Sequence, residues 1–325
     1  MNIKQKIVGY SEQSMQTVIT FILLIVIAST ASLLVPNFFT WNNINNIFIQ
    51  NSLIVITGCA VTLLIISGNL DLSVGGIVAQ SGVLYAYFCM LEIPTIIAMF
   101  LGVLSGTVIG LINAFLVEKM KIPPVLATIG TMYISRGIAY IFADGSMIEA
   151  GLPVNFRAIN MIFVGPISLI LVIVILFIIL FTIIQKYSTF GRRIYYLGVN
   201  KSTAVLSGIK TSRVVSILYI VVGTLAGFCG TVIAAKIGAG DCKVGNGFEL
   251  DVISAAVIGG TDIFGGKGSI LGMLFGTIIL GVLNNSLNLL SLSSYTQYVI
   301  KAVVLVGAIL FQRFVYKKIS RFSDK

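Results

Sequence analysis

Asp71, Asp251, Arg136 and Lys301 interrupt or border long apolar runs, as do the amides Asn113, Asn284, Asn285 and Asn288. Charges in such surroundings are costly, and they count by default as candidates for function. Asp71 sits in Ser67-Gly68-Asn69-Leu70-Asp71-Leu72-Ser73-Val74-Gly75-Gly76, a break between two apolar stretches. There, Asn69, Asp71 and Ser73 either cap a helix or offer polar groups to a ligand. Asn284 and Asn288 fall on one helical face at i, i+4, and side-chain amides of this kind bond neutral hydroxyls or tie helices together.

Catalytic chemistry has little to work with. The chain has no histidine, which removes His-based acid–base catalysis, haem ligation and His-containing metal sites. No GxSxG run is present. The glycine-rich run 259–269 lacks the glycine six residues before its lysine and the Ser or Thr directly after it; Thr261 and Gly268 stand there instead. It is therefore no phosphate loop. The cysteines Cys59, Cys89, Cys229 and Cys242 show no CxxC spacing and read as small buried hydrophobes, with Cys89–Cys242 the one bridge considered, on the outer face.

The elements that position these groups follow from composition. Of 325 residues, 57% are hydrophobic and 10% charged, with a mean hydropathy of +1.05. A soluble domain keeps about a quarter of its residues charged. Apolar segments are expected at 15–35, 51–68, 72–91, 94–117, 123–143, 161–185, 214–236, 249–263, 268–290 and 296–313. Each approaches the length of about 20 residues that spans a bilayer as a helix. The expected fold class is an all-α, polytopic integral membrane bundle forming one membrane domain over residues 1–325. The fifth and eighth segments are the weakest and read as re-entrant or broken helices. The first is read as a retained helix closed by Pro36, being too long for a signal core. Arg136 is expected to pair with Asp144 or Glu149, and Lys301 to snorkel to the outer interface.

Charge gives the orientation. Residues 186–213 hold six basic residues and no acid, and Arg313, Lys317, Lys318, Arg321 and Lys325 crowd the tail. Ten spans with both termini cytoplasmic place these groups, Lys4, Lys6, Lys119 and Lys121 on one side and Glu92, Asp144, Glu149 and Asp241 on the other. The net charge of +10 is thereby explained without nucleic acid. Residues 101–109 recur nearly unchanged at 271–279, six of nine positions being identical, each copy following a Leu-Asp element. This echo points to two repeat-related halves.

Taken together, four motifs resemble those of the membrane permease subunits of ribose-, galactose- and xylose-type sugar ABC importers, within the larger family that includes branched-chain amino-acid permeases. They are Leu70–Gly75; Thr128–Met132 with Arg136-Gly137; the basic loop from Gly191-Arg192 through Gly198-Val199-Asn200 to Gly208-Ile209; and Gly247–Asp251 with Gly259–Thr261 and Gly265–Ser269. Leu283-Asn284-Asn285 and Lys301 also fit. Asn69 in place of glycine and Asp262 in place of serine depart from the family pattern. The resemblance implies a multi-pass subunit in the cell membrane that binds no cofactor or metal and works with a second permease subunit, identical or not. A cytoplasmic ATPase uses the ATP, and an extracytoplasmic binding protein delivers the sugar. Residues 186–213 are the implied coupling loop, with Gly191, Arg192, Arg193, Asn200, Ala204 and Gly208 as contacts. Asn69, Asp71, Ser73, Asn113, Asp251, Asn284, Asn285 and Asn288 are the candidates for the substrate path. Within the family the cargo alternatives are a branched-chain amino acid, a nucleoside or a furanosyl autoinducer. Outside it, the alternative is an ion-coupled secondary carrier using Asp71, Asp251 and Arg136.

Overall fold

The computed structural model describes residues 3–36, 38–165 and 167–293, with scattered positions between 296 and 310, and side chains from Met15 onward. Lys301 lies outside the described residues, as does half of the tenth expected segment. The helices run α1 (Ile3–Leu34), α2 (Trp41–Ile66), α3 (Val74–Met90), α4 (Thr95–Glu118) and α5 (Pro124–Phe142). A short excursion follows: β1 (Met147–Ile148), a single 3₁₀ turn, α6 (Ala158–Met161) and the antiparallel hairpin β2 (Phe163–Val164) and β3 (Ile167–Ser168). Then come α7 (Leu169–Tyr187), α8 (Thr189–Val199), α9 (Lys201–Leu206), α10 (Thr211–Ile237), β4 (Gly240–Asp241), α11 (Phe248–Ile258) and α12 (Ile270–Leu289). β4 pairs antiparallel with β1, Met147 opposite Asp241. Seven described helices are long and apolar enough to cross a membrane, and α3 is a shorter apolar one.

The starts of α2 and α7 differ from the sequence expectation, each for a local reason. α2 begins at Trp41, ahead of the expected 51, because Thr40 caps it by accepting from the Asn43 N–H (3.4 Å) and the polar first turns find partners within the protein. α7 begins at Leu169 rather than 161, since the hairpin occupies 163–168 and Ser168 caps the helix through the Leu171 N–H. Of the two weak segments, the fifth is a continuous 19-residue helix and the eighth only 11 residues long.

α2 is the central helix: every residue from Asn51 to Ile66 is buried. The faces of α1, α4, α5 and α7 carry the exposed apolar side chains, Ile96, Phe100, Leu126, Ile141 and Leu176 among them. Such an outward apolar surface suits hydrocarbon rather than water. The four cysteines are free and buried.

Glycines set the closest helix approaches. α4 presents Gly102, Gly106 and Gly110 to α10, which answers with Gly223 and Gly227. A Cβ on Gly223 would lie 2.9 Å from the Gly110 Cα, and one on Gly227 2.9 Å from the Val103 carbonyl oxygen. The second copy of the echo does the same at another contact: Gly272 and Gly276 of α12 meet Gly259 and Ala255 at the end of α11. Small residues allow this packing where no hydrophobic force drives helices together. Gly223→Val is therefore expected to destabilise the fold by about 1–3 kcal/mol or more through overpacking. The check is the thermal unfolding midpoint in detergent; an unchanged midpoint would show that the α4–α10 contact can open without loss.

Candidate functional site

Non-helical backbone enters the bundle at three places: residues 67–73, 240–247 and 259–269. At the first, Asp71 is fully buried and its Oδ1 accepts from the Ser73 N–H (2.8 Å) and hydroxyl (2.5 Å). Asn113 of α4 donates to Asp71 Oδ2 (3.4 Å) and Ser73 Oγ (2.8 Å), and Thr131 of α5 donates to the Asn113 amide oxygen (2.6 Å). The Thr128 hydroxyl accepts from the Leu72 N–H (3.1 Å), and the Tyr219 hydroxyl of α10 donates to the Leu70 carbonyl (3.1 Å). Asp71, Ser73 and Asn113 thus form one network that pins the α2–α3 break to α4 and α5. Thr128 and Thr131 both lie in a motif of the family resemblance, but neither is among the expected site residues. Asn69 turns back on its own chain and donates to Ser67.

At the second break Arg136 has a different role from the expected one. Its Nη1 donates to the carbonyls of Cys242 (3.0 Å) and Val244 (2.6 Å). Among the described residues the ion pairs involve Glu118, and neither Asp144 nor Glu149 pairs with Arg136. The guanidinium meets carbonyls that leave the ladder as β4 gives way to the turn. Glu249, one turn into this region, is the acid sequence reasoning missed. Its Oε2 is buried without a hydrogen-bond partner, and its side chain occupies the space where any Cβ at Gly75 would stand. The usable signal was an acid pair, Glu249 and Asp251, opening a short helix behind Gly247. Asp251 is half-buried in the same first turn.

The asparagines of α12 divide. Asn285 exchanges two amide hydrogen bonds with Asn43 of α2 (2.8 and 2.9 Å), a tie between helices. Asn288 is exposed and accepts from Gln297 (2.9 Å). Asn284 retains a buried amide oxygen with no partner.

The third break carries the basic loop. Tyr195 of α8 donates to the Gly268 carbonyl (2.6 Å), and Gln185 of α7 both donates to that carbonyl (3.2 Å) and accepts from the Ile270 N–H (3.1 Å). Gly266 donates to the Ile66 carbonyl (2.8 Å) at the end of α2, against which Gly198 is pressed. The glycine run that fails as a phosphate loop is thus a clasp joining α2, α8 and α12. α9 is held by Lys201, which pairs with the buried Glu118 carboxylate of α4 (3.2 Å), while Lys121 approaches its other oxygen (3.6 Å). Caps from Ser188 to Gly191 (2.8 Å) and from Asn200 to Thr203 (2.9 Å) start the two short helices.

Of the six loop residues, Arg192, Arg193, Asn200 and Gly208 are exposed. Gly191 and Ala204 are not available as contacts: Gly191 packs on the last turn of α7 and Ala204 is buried, so both position the loop from within. The exposed apolar residues Tyr196, Val199, Val205 and Leu206 were not foreseen; Leu206 is 88% exposed.

Such a molecule is a multi-pass helical membrane protein whose polar groups serve its broken helices and whose basic loop forms a mounted platform. Residues 43–309 match the family described as the branched-chain amino acid transport system / permease component, and the chain belongs to it. It is 36% identical to the ribose import permease protein RbsC of Escherichia coli K12 over 91% of this chain and 92% of that one. The D-allose transport system permease protein AlsC of the same strain is 37% identical, over 91% of each chain. The L-arabinose transport system permease protein AraH is 32% identical over 88% of this chain and 87% of its own. No solved structure matches the chain.

Because every oxygen of Asp71 is engaged in tying the break together, Asp71→Ala is expected to lower membrane abundance and transport in parallel, while Asp71→Asn, which keeps an acceptor, retains most of both. Quantitative immunoblotting of membranes beside uptake reads the two. Transport lost at full abundance would put Asp71 in the path instead.

Proposed function

We propose that the chain is the membrane-spanning subunit of an ATP-driven importer that carries a small neutral sugar into the cytoplasm, and that it has no catalytic activity of its own. The observation that carries this reading is the 36–37% identity, over nine-tenths of the chain, to permeases named for ribose and allose. The nature of the polar groups agrees with an uncharged cargo. Amides and hydroxyls make up most of the buried polar side chains, and Arg136 is engaged by backbone carbonyls rather than held for a charged ligand. Among the path candidates, Asn284 has an amide oxygen left over, the group a sugar hydroxyl would need as acceptor.

In this reading the basic side faces the cytoplasm, with both termini there, and residues 1–325 act as one permease domain. α8 and α9 receive a separate ATPase, and a second permease subunit completes the path. An extracytoplasmic binding protein delivers the sugar. The platform suits docking: α8 and α9 carry the exposed polar residues Arg192, Arg193 and Asn200 together with the exposed apolar residues Tyr196, Val199, Val205 and Leu206. Arginine and aromatic side chains are enriched at protein interfaces. Its clasp to α2 and α12 gives movement of an attached ATPase a direct route to the bundle core.

The test is affinity purification of the tagged chain in mild detergent, with identification of what co-purifies in stoichiometric amount, followed by a sugar screen on any associated binding protein. Repeated recovery of the chain alone, active in gradient-driven uptake, would overturn the proposal. The variant with both Arg192→Ala and Arg193→Ala is expected to lose ATPase association several-fold while its melting midpoint holds, since both side chains are exposed. Pull-down yield beside thermal unfolding decides it. Asn284→Ala is expected to raise the half-saturating sugar concentration at unchanged abundance, as measured by uptake kinetics; an unaltered value removes Asn284 from the path.

A further inference from the structure

One cavity on the basic side does not belong to the clasp. It has a volume of about 270 Å³ and is lined by Phe190, Arg193, Gly208, Lys210, Arg213, Val214 and Ile217. Its three cations come from three different places: α8, the link before α10, and the first turn of α10. No acid lines it, and none of the three makes an ion pair among the described residues. A row of solvated charges would point away from one another, whereas these converge on one space.

The other wall is apolar and runs into the bundle. α10 has 27 residues, about 40 Å at ~1.5 Å per residue, against a hydrocarbon core of about 30 Å. Its first turns therefore lie at headgroup depth. Ile217, six residues in, lies past the hydrocarbon boundary, and its side chain is 40% exposed. Arg213 lies one turn above it. Cations at the headgroup level over an apolar wall match a molecule with an anionic head and an acyl chain.

We propose that this cavity binds the headgroup of one anionic phospholipid from the leaflet on the basic side, with the phosphate among Arg193, Lys210 and Arg213 and an acyl chain along Ile217. The site would fasten the base of α10, the glycine-bearing partner of α4, to the leaflet beside the platform. It rests on the membrane placement of α10 and not on the cargo; Arg193 borders both this cavity and the proposed ATPase platform, and the ATPase arm of the test separates the two.

The test is native mass spectrometry of the full chain in detergent, equilibrated with equal amounts of phosphatidylglycerol and phosphatidylcholine. One phosphatidylglycerol per chain is expected to survive activation that strips phosphatidylcholine. The variant with Lys210→Gln and Arg213→Gln is expected to weaken that retention by about thirtyfold, each cation at an anionic surface contributing about a fivefold factor. Lys119→Gln, in another loop of the same side, is expected to change nothing. Each single glutamine variant reads the same way at smaller amplitude where the double one does not fold, and Arg213→Lys is expected to restore retention. Equal retention by wild type and glutamine variants overturns the site. Displacement by millimolar glycerol phosphate shows a phosphate site without lipid and overturns it too, as does displacement by an added ATPase subunit, which shows a protein interface.

Discussion

A backbone that leaves the helix inside a membrane must find new hydrogen-bond partners within the protein, because hydrocarbon offers none. Among the described residues the backbone leaves the helix inside the bundle at residues 67–73, 240–247 and 259–269, and the arrangement of the polar side chains there follows from that demand. Asp71, Ser73, Asn113 and the two threonines of α5 serve the first break. Arg136 serves the second through the carbonyls of Cys242 and Val244, and Gln185 with Tyr195 serves the third at Gly268. The helices that contribute these groups are thereby fixed relative to one another. The breaks act as joints of the bundle as much as interruptions of its segments.

The same demand explains why intramembrane polarity is a weak guide to a transport path. Each break needs donors and acceptors of the kinds a sugar would also need. A hydroxyl or amide in the interior is consequently more often engaged by the chain than free for a cargo. Asn285 illustrates this: its amide is fully occupied by Asn43 in a tie between α2 and α12. Glu249 is the opposite case, a carboxylate packed on Gly75 with one oxygen left over, held where the second break turns into α11.

Much of the bundle was legible in the sequence, because hydropathy depends on one residue at a time. The fourth and seventh apolar segments match α4 and α10 within a few residues, and the paired glycine motif marked real close contacts. The start of α2 was hidden, since Asn43 and its neighbours look like loop until Asn285, 242 residues away, supplies the partner. Arg136 was assigned to acids because acids can be seen in a sequence; backbone carbonyls that accept from it leave no mark there. Gln185 read as the polar end of a helix, and only the fold brings Gly268 and Ile270 to it. The basic run 186–213 folds into the short helices α8 and α9, yet which of its residues face out depended on the packing of Gly191 and Ala204.

The two short helices of the platform are mounted differently, and this gives the platform a mechanical polarity. α8 is riveted: Gly198 is seated on the Ile66 carbonyl, Tyr195 is bonded to Gly268, and Ile194 and Leu197 are buried. α9 is latched, with one ion pair from an exposed lysine to Glu118 and a single buried residue, Ala204. A push on α8 is delivered to α2 and α12 without slack. The same push on α9 is first absorbed by the latch and reaches α4 only once that yields, so the platform behaves as a stiff lever with a compliant tip.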